Sequence, residues 1–424
     1  MNGWGDVLNL VLSAAALLCG GYWAVVASRV IIATRRSPAI EDGIDGRTEA
    51  SVCVVVPAHN EQETIAELVR TLRGQDHDRL TVVLALDRCT DETAQRARDA
   101  IEGDPRFEIV EIDHCPDDWA GKVHAVREGA RRSRHAATAD LLCFTDADVA
   151  FDPRAIRAAA VVLERNSLDL LSVLTLLTHR AWYEIAAQPA VSFELMRQYP
   201  IQRANRTDSR QRPFANGQFM MFRAEAYRAI GGHDAVRDDV LEDLALGRLC
   251  KDRGYRAGLA FAREFIRCRM YDSWAAFRSG WKRIYIEGAQ RRSSRLKYSA
   301  LRVFWAGVAG PAATIAAIGV GVATGDPLTW GVGAFGVMSW LIGWRTIHVA
   351  SGAPWAALPC CAFASLQTSL LLLGAGRDLA SGTPIRWAGR SYVLQDRSKL
   401  PRSTPITGEA ASPPPTTGPN HRTA

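Results

Sequence analysis

Leu141-Leu142-Cys143-Phe144-Thr145-Asp146-Ala147-Asp148 is the stretch that decides the fold: an apolar run of strand character carries two carboxylates, one residue apart, out of a core. Alternate residues of a strand face the same way, so Asp146 and Asp148 converge if extended geometry holds through them. Two hard oxygen donors at that spacing suit Mg²⁺ or Mn²⁺ holding a diphosphate. Asp is equally common where strands end in turns, so the pair alone leaves metal site and turn both open.

The flanking sequence repeats one unit. Ser51–Pro57 (SVCVVVP) is a β-branched run of the kind buried in parallel sheets. Ala58-His59-Asn60-Glu61 follows, then Ile65, Leu68, Val69 and Leu72 at helical spacing. Asn60 is placed to cap that helix, with Glu63 completing a capping box. Leu80–Leu86 reads as a second strand ending at Asp87, followed by a helix capped by Thr90 or Asp91. Phe107–Ile112 is a third strand, and Trp119-Ala120-Gly121-Lys122 opens the next helix. Strand–helix repeats of this kind predict an α/β fold with a right-handed, doubly wound sheet. Asp87 and Asp146 then fall at carboxyl strand ends, where open α/β sheets bind ligands.

Charge is segregated along the chain. Positions 7–28 carry no charged residue, long enough to cross a hydrocarbon layer of roughly 30 Å. Arg29, Arg35 and Arg36 follow that run rather than precede it, which favours a retained anchor over a signal peptide. Uncharged stretches recur at 303–325, 327–344 and about 354–376. The expected organisation is a membrane anchor (1–36), a cytoplasmic α/β domain (48–272), an interfacial amphipathic helix (273–300), a transmembrane region (301–376), a basic cytoplasmic tail (377–402) and a disordered end (403–424). Arginines from Arg377 to Arg402 argue for an even number of late crossings, with the stretch after Pro354 re-entrant or the first helix interfacial.

The net charge of +6, from 51 basic and 45 acidic residues, is dispersed, and no nucleic-acid partner is expected. Nine cysteines without a C-x-x-C pair give neither a zinc site nor a disulfide framework.

Six motifs occur in order: VVVPAHNE, LDRCTDETA, DDWAGKVHA, FTDADV, Phe214-Ala215-Asn216-Gly217-Gln218-Phe219 with Tyr227–Gly232, and Val240-Leu241-Glu242-Asp243-Leu244. This succession resembles family 2 glycosyltransferases of GT-A fold, in the membrane-bound branch of hopene-associated and carotenoid glycosyltransferases, which implies a doubly wound mixed sheet flanked by helices, with transmembrane helices at both ends. The resemblance covers about residues 50–290. It implies that Pro57, Ala58, His59 and Glu61 wrap a nucleotide, that Asp87 meets the base, and that Lys122 faces diphosphate or sugar. It makes Asp146 and Asp148 the metal pair, Asp148 the surer ligand, and Asp243 the general base. It places Asn216, Gly217, Glu242, Trp281 and Arg283 on the acceptor side. The Q-x-x-R-W sequence of processive relatives is absent, which favours transfer of one sugar.

The resemblance thus implies a metal-dependent (Mg²⁺ or Mn²⁺), inverting glycosyltransferase. It would move a sugar from a nucleotide-sugar donor, a UDP-sugar above others, to a lipid acceptor such as a hopanoid, carotenoid or glycerolipid. Its expected place is the inner cell membrane, multi-pass, with the catalytic domain cytoplasmic. A polyprenyl-phosphate sugar transferase and a non-catalytic nucleotide-sugar-binding scaffold are the alternatives.

Overall fold

Strands form where the sequence runs apolar without interruption. The computed structural model describes residues 3–205, 214–239, 241–387 and 390–399. The end expected to be disordered, 403–424, lies outside them. β1 (Val52–Ala58), β2 (Leu80–Asp87), β3 (Phe107–Ile112) and β4 (Leu141–Phe144) are parallel and lie side by side as β3-β2-β1-β4. The register sets Val52 level with Leu80 on one side and Leu141 on the other.

β1 is buried along its whole length, and its side chains alternate between two cores, as the pleat requires. Val52, Val54 and Val56 join one core with Leu68, Val69 and Leu72 of helix Ile65–Arg73. Cys53 and Val55 join the other with Val123 and Val126 of helix Gly121–Arg132. The doubly wound expectation holds.

The rest of the sheet was not legible in the repeat. β5 (Val149–Phe151), β6 (Leu170–Leu174), β7 (Leu176–Leu177), β8 (Met220–Arg223), β9 (Ala257–Phe261) and β10 (Ile266–Cys268) complete two sheets. The larger continues β4-β8-β6-β9, with β8 antiparallel to both its neighbours. The smaller runs β5-β10-β7 and sets Cys268 opposite Val149.

Two local expectations are corrected. β4 ends at Phe144, so Asp146 and Asp148 stand in a turn between β4 and β5 and not on an extended strand. Thr145 ends the strand there, its hydroxyl donating to the Gln218 carbonyl at 2.7 Å inside the core. The segment 273–300 is two helices, Trp274–Gly288 and Ser293–Phe304, separated where Gln290 and Arg291 adopt φ of +57° and +53°.

Among the described residues, three helices are long and apolar enough to cross a membrane: Gly5–Arg36, Ser293–Thr324 and Trp355–Ser381. The helix Pro327–Ser351 returns beside the N-terminal one, with Ser13 and Thr329 hydroxyls 3.0 Å apart. Small residues allow close approach: a Cβ on Gly336 would stand 2.4 Å from Thr314 Cγ2, and one on Gly343 2.3 Å from the Trp23 ring. The Trp23 indole donates to the Ala306 carbonyl at 2.8 Å, tying the first helix to the third quarter of the chain.

Candidate active site

The strand order reverses between β1 and β4: β2 and β3 lie to one side, and β8, β6 and β9 to the other. A crevice opens at the carboxyl ends of such a pair, and the sequence-predicted residues gather there. One cavity of about 2190 Å³ is lined by Pro57, Ala58, His59, Glu61, Asp87, Lys122, Asp146, Asp148, Asn216, Gly217, Glu242, Asp243, Trp281 and Arg283. Residues more than 200 positions apart in the chain thus share one wall.

The turn after β1 is tied to the turn after β2. Asn60, at φ +57°, does not cap the helix, which begins only at Ile65. Its side-chain oxygen instead accepts from the Thr90 N–H at 2.8 Å. Glu63 forms no capping box and faces Arg96 at 3.6 Å. His59 Nδ1 donates to the Asp87 carbonyl at 2.6 Å, and the Glu61 N–H donates to Thr93 Oγ1 at 2.7 Å. Asp91 accepts from the Thr93 N–H at 3.0 Å, but neither it nor Thr90 is the cap expected there: the helix starts at Thr93 with Glu92 at its N-cap. The Asp87 carboxylate is buried and held by the Arg88 fork at 2.9 and 2.7 Å. Arg88 was not among the expected site residues. A fork that grips its own neighbour leaves no spacing pattern to read.

At the centre, the Lys122 ammonium sits 2.6 Å from Asp146 and 2.8 Å from Glu242. Burial disfavours its charge, yet the two carboxylates win and keep it protonated well above the ordinary lysine range. Glu242 is likewise buried, and Lys122 holds its carboxyl below the usual range. Asp148 makes no ion pair among the described residues, and Lys122 offsets its burial only weakly. Burial, then Asp146 and Glu61, push its carboxyl up to about 8, and the Cys268 thiol donates to it at 3.4 Å. Cys268 was also missed: only the β5–β10 register brings it there.

Asp243 lies in the first turn of helix Glu242–Asp252. Its oxygens accept from the Gly217 N–H at 2.8 Å and the Leu244 N–H at 2.7 Å. Burial and then the neighbouring Glu242 charge push its carboxyl up to about 6, despite these bonds. Gly217 lies tight against this cluster: a Cβ there would meet Lys122 Nζ at 3.1 Å, Asp243 Oδ2 at 3.3 Å and Glu242 Oε1 at 3.4 Å, so these side chains would have to give by a few tenths of an ångström. Trp281 is buried between Phe277 and Tyr285, with its indole N–H unpartnered among the described residues.

Among the described residues, no group of three or more His, Cys, Asp and Glu side chains is arranged to hold a metal ion. Mg²⁺ is commonly bound by one or two carboxylates together with substrate phosphates, so Asp148 and Asp146 fit such an ion as partial ligands. The raised Asp148 marks a buried carboxylate that a cation would relieve.

Residues 53–231 match the family described as glycosyl transferase family 2. Among curated proteins, the chain is 28% identical over 247 residues to the 4,4'-diaponeurosporenoate glycosyltransferase of Staphylococcus aureus (strain USA300), a match covering 56% of this chain and 62% of that protein. The match to the MRSA252 strain's protein is also 28% identical and covers 60% and 65%. The chain therefore spans less than two thirds of the length of these relatives. Among solved structures, the mannosyltransferase PcManGT from Pyrobaculum calidifontis in complex with GDP-Man and Mn²⁺ is similar at a TM-score of 0.45 and 19% identity, over 89% of this chain and 99% of that one. Staphylococcus aureus TarS 1-349 in complex with UDP-GlcNAc is similar at 0.37 and 11%, over 81% and 96%.

Proposed function

With the family 2 match over residues 53–231 as premise, we propose that this protein is a membrane-bound, inverting, metal-dependent glycosyltransferase that moves one sugar from a nucleoside-diphosphate sugar to a lipid acceptor. The observation that carries the reading is the pair Glu242 and Asp243. They are adjacent in sequence, but one is held ionised by Lys122 and the other is raised to about 6, the divergence expected of a structural carboxylate beside a general base. The curated relatives, 4,4'-diaponeurosporenoate glycosyltransferases by name, support a lipid acceptor.

Pro57 to Glu61 and Asp87 would receive the nucleotide and Lys122 the diphosphate, with Asn216, Gly217, Trp281 and Arg283 on the acceptor side. Asp148 and Asp146 would hold Mg²⁺ or Mn²⁺, which when bound neutralises charge on the leaving diphosphate. The acceptor hydroxyl gives its proton to Asp243 as its oxygen bonds to the anomeric carbon. The bond from that carbon to the diphosphate oxygen breaks, and its electron pair leaves with the nucleoside diphosphate. Attack opposite the leaving group inverts the anomeric centre. Lys122 places positive charge where the leaving group becomes more negative. The N-terminal anchor and the late apolar helices would keep the product in the cell membrane, with the α/β domain on the cytoplasmic side.

Asp243→Asn tests the base. Transfer to extracted lipid should fall by about 10²–10⁴-fold while nucleoside-diphosphate binding, measured by calorimetry, persists. Full activity in that variant would overturn the assignment. It would favour an acceptor that is already an anion, such as a polyprenyl phosphate or the carboxylate in the relatives' name. Donor binding without turnover on any lipid would favour the scaffold reading.

A further inference from the structure

Ligand pockets usually enclose roughly 300–1,000 Å³, and this cavity of about 2190 Å³ is at least twice that. The excess lies away from the carboxylates. The lining continues from Asp146 and Asp243 to Gly21, Val25 and Ile32 of the N-terminal helix, Pro189 and Phe193 of helix Gln188–Gln198, and Ala350 of helix Pro327–Ser351. Two of these helices belong to the apolar bundle. Val25 and Ile32 are 50% and 44% exposed and run on into Leu10, Leu17 and Leu18 along the same helix, an apolar surface too extended to face water.

The charge on the lining also changes along its length. Glu61, Asp87, Asp146, Asp148, Glu242 and Asp243 line the end at the sheet. Arg29, Arg35 and Arg203 line the end at the helices, where basic side chains meet lipid headgroups, while Arg197 and Arg302 on the same wall are paired with the buried Glu194. A nucleotide sugar has no apolar chain to lie along the exposed apolar wall of the second end. An amphiphile with a long apolar chain matches the second.

We propose that the slot between the N-terminal helix and helix Gln188–Gln198 admits the apolar chain of the acceptor sideways from the bilayer and presents its polar end to Asp243. The inference rests on the glycosyl-transfer reading for what happens at that polar end, but the slot itself is a binding site for an apolar chain of membrane length. It is open on the lipid side, so the acceptor never has to leave the membrane.

Gly21 supplies the test. It lines the slot, and a Cβ there meets nothing within 4 Å, so Gly21→Trp starts its side chain in open space at the slot wall. Gly319→Trp is the matched control, because Gly319 is equally open and does not line the cavity. The full chain is reconstituted in phosphatidylcholine–phosphatidylglycerol vesicles with a sixteen-carbon fatty acid bearing a terminal diazirine. Adducts are mapped by mass spectrometry after photolysis. The slot predicts adducts on Phe193 and Met196, which line it and are not among the exposed apolar side chains, in the unmodified protein and in Gly319→Trp, and at least a tenfold loss in Gly21→Trp. Adducts on the outward residues Leu10 and Leu17 should be equal in all three.

Labelling of the unmodified protein confined to outward residues would overturn the slot without recourse to any variant, as would equal labelling of Phe193 and Met196 in both variants. Calorimetry with a nucleoside diphosphate is read separately. Its failure overturns the transfer reading, and the adduct pattern still decides the slot.

Discussion

Asp243 and Glu242 show how far one position can change a carboxyl group. Only Glu242 pairs with Lys122, and only Asp243 is left with a pKa near 6. Catalysis by Asp243 needs its ionised form. The turnover rate should therefore rise about tenfold per pH unit below 6 and level off above it, checked by initial rates across that range. A flat profile would contradict the role. The same shift acts on stability in the opposite direction. Between 3.8, the ordinary value, and about 6, the folded chain binds the Asp243 proton more tightly than the unfolded one, so this contribution to stability falls as pH rises. Asp243, Asp146, Asp148 and Lys122 were legible because each stands in a short motif with fixed neighbours. Arg88 and Cys268 were not. Arg88 acts through a conformation, φ +47°, and Cys268 through the register of two strands distant in sequence.

At the scale of elements, the parallel half of the sheet was legible because strands covered on both faces must be continuously apolar. The antiparallel half was not, since β8 is four residues long and no periodicity distinguishes so short a run. The failed cap at Asn60 has the same lesson: a side chain suited to a helix start was taken by a nearer donor, Thr90. Packing between elements gives a further prediction. The short turn Ile40–Gly43 rests on helix Ala155–Arg165, and a Cβ on Gly43 would lie 2.1 Å from the Ala158 carbonyl oxygen. That neighbour is backbone and cannot rotate away. Gly43→Ala should destabilise the domain by about 1–3 kcal/mol, measured by denaturant unfolding, with nucleotide affinity unchanged in the fraction that remains folded.

At the scale of the molecule, the α/β domain is held between an N-terminal helix and helices from the last third of the chain. Gly336 is at the crossing of three of them, with Thr314 Cγ2 at 2.4 Å and the Ala16 carbonyl at 3.1 Å from a built Cβ. Gly336→Leu should part this bundle, lowering the melting temperature in detergent and abolishing transfer to lipid while nucleoside-diphosphate binding survives. Hydropathy announced the helices but not which would be neighbours. The bond between Ser13 and Thr329 spans 316 positions of sequence. That span has a consequence for biosynthesis. At roughly 5–20 residues per second, the first helix waits some tens of seconds for its packing partners to be made. Until then Trp23 and the small-residue faces have only lipid, or a chaperone, for company. The bundle, and with it the slot wall that Gly21 and Val25 share with later helices, is among the last parts of the protein to be completed.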